Sequence, residues 1–157
     1  MRVVAPATEA SAVNPSVRRM DAKTMRRLVE SAPVGRLGTV GTDRHPHVVP
    51  ICFALTGNVI YSAVDHKPKR SARLRRVANI EATGRACLLV DEYSDDWSRL
   101  WWVRVDGRSR VVGDANEARA AVAALTAKYE QYVERPPTGA VIAVEADRWS
   151  GWSADLR

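Results

Sequence analysis

The chain has almost nothing with which to staple a fold covalently. Its two cysteines, Cys52 and Cys87, lie far apart and neither belongs to a C-x-x-C pair, which excludes a redox dithiol and a cysteine zinc site. Both sit in apolar runs and read as small core residues. No stretch approaches the ~20 apolar residues of a bilayer span, and Met1–Pro6 lacks the continuous apolar core of a secretory signal; a cytoplasmic chain with no membrane partner is expected. G-x-S-x-G, P-loop and G-x-G-x-x-G motifs are all missing, which removes the hydrolase, nucleotide-triphosphatase and Rossmann readings. Histidines number three, and His45-Pro46-His47 falls in a turn without making a ligand set, so no metal is expected.

What the chain does have is charge gathered in one place. Lys67, Lys69, Arg70, Arg73, Arg75 and Arg76 fall within ten residues that hold no acid. Without these six, the 24 basic and 18 acidic residues of the chain would balance. A basic protein suggests nucleic acid as partner, but so compact a cluster suits a discrete anion better than a long backbone, and nucleic acid is set aside. A phosphate beside Lys67, Lys69 and Arg70, with His66 near, would receive charge-assisted hydrogen bonds and the N–H groups of a helix start. Arg75 and Arg76, farther along that helix, read as surface. The competing reading of the whole segment is a solvated arginine face.

Residues 1–19 are rich in Ala, Pro, Ser and Thr without a period and read as a disordered leader. Residues 20–157 read as one domain, of a size that buries roughly 70% of its unfolded surface. Asp21 is placed to cap a helix over 22–31, with Met25, Leu28 and Val29 on one face and Pro33 as the stop. Strands are expected over 34–40, 47–55 and 59–63, the last two joined at Thr56-Gly57-Asn58. A basic helix over 70–80 follows, then strands over 86–90 and 101–111. In the second of these Trp101, Val103, Val105, Gly107, Ser109 and Val111 face one way and Arg104, Asp106, Arg108 and Arg110 the other. Asp114 and Glu117 form a capping box for a helix to about Glu134, with a final strand over 140–144. Six antiparallel strands with flanking helices predict a mainly β fold, a closed or nearly closed barrel, because closure removes exposed edges.

Trp97, Trp101 and Trp102 crowd one short span. Trp101 shares the parity of the core residues; Trp97 and Trp102 are left to meet a planar ring, a partner or the barrel rim.

Four stretches carry a family likeness: Val34-Gly35-Arg36-Leu37-Gly38-Thr39-Val40, Pro46-His47-Val48-Val49-Pro50, the Lys67–Arg76 segment, and Val90–Trp97 running on to Trp101–Gly107. From about Met20 onward the chain resembles the flavin/deazaflavin oxidoreductases of the pyridoxamine-phosphate-oxidase-like superfamily, and within it the subfamily assigned to coenzyme F420. The resemblance implies a six-stranded antiparallel split β-barrel with Greek-key connections, the FMN-binding split barrel, and a homodimer with cofactor sites between the barrels. It implies that His47, Val48, Val49, Pro50 and Ile51 border the ring, with Tyr61, Ser62 and Ala63 close by. Lys67, Lys69 and Arg70 would hold the phosphate, and Trp97 would approach from the facing subunit or the rim. Pro68 occupies a place where a cation is expected. The implied activity is hydride transfer between reduced F420 and a planar conjugated acceptor, quinone-, enone- or tetrapyrrole-like, with no catalytic side chain singled out. The alternatives are an FMN-dependent oxidase or reductase of the same fold, and a non-enzymatic flavin, F420 or heme binder.

Overall fold

A computed structural model describes residues 20–65 and 74–154. The leader, and with it His66, Lys67, Lys69 and Arg70, lies outside the described residues.

Helix α1 (Ala22–Ser31) starts where Asp21 accepts the Thr24 N–H at 2.8 Å, and ends with extended Ala32 before Pro33. Strand β1 (Gly35–Val40) pairs with β2 (Pro46–Ile51). Strands β3 (Ala54–Thr56) and β4 (Val59–Ala63) form a hairpin, turned by Gly57 at φ +59°, a conformation that favours glycine. Helix α2 (Arg75–Thr83) leads to β5 (Arg85–Glu92), a short 3₁₀ turn (Trp97–Arg99) and β6 (Trp101–Val111). Helices α3 (Ala115–Lys128) and α4 (Gln131–Glu134) precede β7 (Val141–Ser153).

All seven strands belong to one antiparallel sheet in the order β2-β1-β5-β6-β7-β4-β3. β2 and β3 are consecutive in the chain yet occupy opposite edges, with only Cys52 and Phe53 between them. So short a link requires the sheet to curl until its edges meet, which is a barrel split along one seam. The interior is filled by Leu37, Phe53, Ile60, Leu88, Val90, Val103, Val105, Ile142 and Val144, all fully buried. A second cluster, built on Ala121 and Leu125, seats α3 on β3 and β4.

Four expectations need correction. The barrel has seven strands rather than six, because the apolar run 47–55 is two strands: Phe53 leaves the ladder, and the Tyr129 hydroxyl takes its N–H at 2.9 Å. That hydroxyl lies 3.0 Å from the carbonyl oxygens of both Phe53 and Pro33, and its one proton can serve either of them. The last strand runs to Ser153, not Val144, since β6 continues to pair with it past a bulge at Asp106/Gly107. Gly107 is required at that bulge: a Cβ there would stand 2.3 Å from the Glu145 carbonyl oxygen. The helix from 114 breaks at Tyr129, whose extended backbone sends its side chain to the seam. The helix expected over 70–80 is interrupted at Leu74, extended at φ −65°, ψ 134°, so α2 opens at Arg75, and residues 70–73 lie outside the described residues.

Candidate functional site

At the seam, where β2 stops, the link crosses and β4 ends, the surface opens into a cleft of about 350 Å³. One wall is the chain from Val49 through Pro50 and Ile51 to Cys52, continued by Val34. The floor is Ser62 and Ala63, both buried and both small. Ser62 Oγ donates to the Cys52 carbonyl at 2.8 Å, so its hydroxyl supports the link. Asp65, Arg76 and Tyr132 close the mouth.

Charge in the mouth is arranged, not scattered. Tyr132 Oη donates to Asp65 Oδ1 at 2.5 Å. Burial first, then the neighbouring carboxylate, pushes the Tyr132 phenol pKa upward. The hydroxyl therefore stays protonated and pins α4 to the end of β4. Arg76, half-buried on the first turn of α2, has its pKa lowered by burial and partly restored by Asp65. Its neighbour Arg75 turns outward and pairs with Asp43 of the β1–β2 loop. Asp43 also accepts the His45 N–H at 3.1 Å, and this bond first, then Arg75, holds its carboxyl below the usual range against the opposing effect of burial.

Of the residues proposed from the sequence, Val49, Pro50, Ile51, Ser62 and Ala63 come together in the cleft. Four others in the described residues lie elsewhere. His47 lies opposite Thr39 on the inner face, its Nδ1 buried with no partner among the described residues. Val48 stands on the outer face, 63% exposed. Tyr61 donates to Glu117 Oε1 at 2.9 Å and so points to α3. Trp97 is 75% exposed on the 3₁₀ turn. Lys67, Lys69 and Arg70 lie outside the described residues.

The sequence reading left out Cys52, Asp65, Arg76 and Tyr132, and it treated Arg76 as surface, which the half-buried side chain corrects. The available signal was helix phase: a start at Arg75 puts Arg76 in the first turn, facing the seam. Nothing in sequence spacing brings Tyr132 near Asp65.

The cleft wall continues onto the outer face of the sheet. Pro50 lies opposite Arg36, and Arg36, Leu89, Arg104 and Ser150 run side by side across β1, β5, β6 and β7. Arg36 pairs with Asp91 at 2.7 Å, and Asp106 accepts from Arg104 at 3.0 Å and Arg148 at 2.9 Å. Burial works against the Asp106 charge, but Arg148 and Arg104 outweigh it and hold the carboxyl low. Trp102 and Trp152 are cross-strand partners on this face, and Trp102 stays 38% exposed. This face mixes aliphatic and aromatic groups with arginine–aspartate pairs. Among the described residues no helix is long and apolar enough to cross a membrane.

The family model described as pyridoxamine 5'-phosphate oxidase matches residues 22–153. Among solved structures, a conserved hypothetical protein of Mycobacterium tuberculosis is similar at 17% identity and TM-score 0.71, covering 90% of this chain and 89% of that one. A FAD-binding protein of Mesorhizobium loti gives 20% identity and TM-score 0.69 over 89% and 99%. The heme storage protein of Vibrio cholerae gives 11% identity and TM-score 0.63 over 81% and 90%. At these identities the likeness is one of fold. No curated protein matches the sequence significantly.

Proposed function

The chain belongs to the pyridoxamine 5'-phosphate oxidase family, and from that membership we propose that it is an oxidoreductase using the deazaflavin F420, with hydride passing between the cofactor and a planar conjugated acceptor. The observation that carries this reading is the seam cleft, where a flat main-chain wall, a floor of small residues and a half-buried arginine converge.

These residues fit such a cofactor. The Val49–Cys52 wall offers peptide edges and short side chains to a ring, and Ser62 and Ala63 leave depth beneath it. Arg76 offers a fixed fork to a phosphate. The choice of F420 over FMN rests on the density of cations from Lys67 to Arg76, which suits a longer acidic tail. When bound, the ring supplies the hydride itself. The protein then has to orient the two reactants and keep water from the reacting face. Tyr132, held on Asp65, is committed to positioning α4 and not to moving a proton.

A cleft of about 350 Å³ is at the small end of ligand cavities, too shallow for the ring and its tail together. We therefore read the working unit as a homodimer in which the exposed outer face of β1, β2, β5, β6 and β7 meets a second copy and deepens the cleft. FMN is the second reading, favoured by the family's description and by the FAD-binding name of a similar structure. Heme has less support, since no histidine lines the cleft among the described residues.

Parallel titration of the purified protein with F420 and FMN, followed by absorbance and fluorescence, tests the reading. Saturable F420 binding with weaker FMN binding is expected. Tight FMN binding with none of F420 overturns the choice of cofactor, and binding of neither overturns the function.

A further inference from the structure

Behind the link that walls the cleft, the last residue of α3 carries a charge without an acceptor. The Lys128 Nζ atom is shielded from solvent and has no hydrogen-bond partner among the described residues. It stands 3.9 Å from the centre of the Phe53 ring and 5.5 Å from that of Tyr129. Aromatic faces attract a cation, yet they leave its three N–H donors unmatched. Its titratable neighbours are Glu30 from α1, Cys52 from the link and Tyr129 after α3, with Tyr132 and Asp65 beyond Cys52. Three of these, Cys52, Asp65 and Tyr132, line the cleft. The ammonium is thus tied electrostatically to Cys52, a residue of the cavity wall. A lysine stem this long ordinarily carries its charge out to water, and a buried ammonium without an ion pair is costly. Its retention beside an open cleft points to a negative charge delivered from the cleft side.

We propose that Lys128 is a second cation of the cleft, acting together with Arg76 on the negative charge of a bound phosphate-bearing cofactor; this rests on the reading that such a cofactor occupies the seam. The two cations differ in kind. Arg76 keeps its charge at every working pH. Lys128 does not, because burial pushes its pKa down to about 8, with Cys52 and Glu30 opposing the shift. A bound anion favours the protonated lysine. Affinity is therefore full below about pH 8 and falls as pH rises, levelling once the lysine is neutral in the complex as well. A terminal phosphate loses its second proton near pH 6, below this window. Cys52, a cleft-wall thiol that acts electrostatically on Lys128, has to be separated by substitution.

The experiment is a set of dissociation constants for FMN and for F420 between pH 7 and 10, using the full chain as wild type, K128M and K128R, each repeated with Cys52→Ser. Methionine keeps the stem over Phe53 and removes only the charge, so K128M is expected to fold. At pH 7, K128M is expected to bind about three- to tenfold more weakly, with the wild type converging on it by pH 10. K128R, whose charge persists, is expected to abolish the fall. Equal affinity of K128M and wild type at pH 7 overturns the proposal, as does a fall with pH that persists undiminished in K128M. If wild type binds neither cofactor saturably, the cofactor reading itself fails and the proposal falls with it; binding unaltered by K128M removes the proposal alone.

Discussion

Arg75 and Arg76 are neighbours in sequence and opposites in circumstance. Arg75 is half exposed and paired with Asp43, an arrangement worth little in water. Arg76 is half-buried at the cleft mouth, with no hydrogen bond or ion pair among the described residues. A charge-assisted hydrogen bond to a ligand contributes about 1.5–3 kcal/mol, so Arg76→Ala is expected to weaken cofactor binding at least about tenfold. Arg75→Ala is expected to change it less than about threefold, with both variants melting close to wild type. Isothermal titration checks this; equal effects of the two substitutions would remove Arg76 from the site. Tyr61 teaches the same lesson at a third position, since its place on β4 was legible but the carboxylate of Glu117 decides where its hydroxyl goes.

At the scale of elements, the fold turns on two residues that belong to no strand. Cys52 and Phe53 carry the chain from one sheet edge to the other, and their polar backbone groups are met by side chains from elsewhere: Ser62 on the Cys52 carbonyl and Tyr129 on Phe53. Removing the Tyr129 hydroxyl leaves the Phe53 N–H without an acceptor beneath packed side chains. Tyr129→Phe is therefore expected to lower unfolding free energy by about 1–3 kcal/mol, measured by urea denaturation, while Tyr93→Phe, on an exposed turn, costs nothing measurable. The sequence run from His47 to Leu55 holds no Gly, Asn, Asp or Ser, and its one proline precedes the break at Cys52–Phe53, which is why it reads as one strand. β7 is the converse case: Glu145, Asp147 and Arg148 interrupt its apolar pattern, and only the facing β6 ladder keeps it extended to Ser153.

For the whole molecule, the consequential feature is the outer face that the single chain leaves open. Its arginine–aspartate pairs lie flat between Leu89, Trp102 and Trp152. If a second copy seats here, Trp102→Glu is expected to convert a dimer to a monomer, because it sets a carboxylate opposite Asp91 in a surface that must be desolvated. Cofactor affinity should fall with it, since the shallow cleft loses its second wall. Sedimentation velocity with and without cofactor decides the matter, and a dimeric Trp102→Glu protein that binds normally would place the interface elsewhere.

The antiparallel pairing of strands joined by short connections, the caps of α1 and α3 and the core face of β6 were determined by the sequence alone, because each depends on residues within a few positions of one another. The stretch from Val49 to Ile51 and the small pair Ser62-Ala63 were implied by the family resemblance, and the fold brings them into one cleft. Three things were decided only in three dimensions: the break at Cys52–Phe53, the inward place of Arg76, and the burial of Lys128 against Phe53. Each depends on a contact between segments distant in the chain, and the closing of the curled sheet is what brings those segments together.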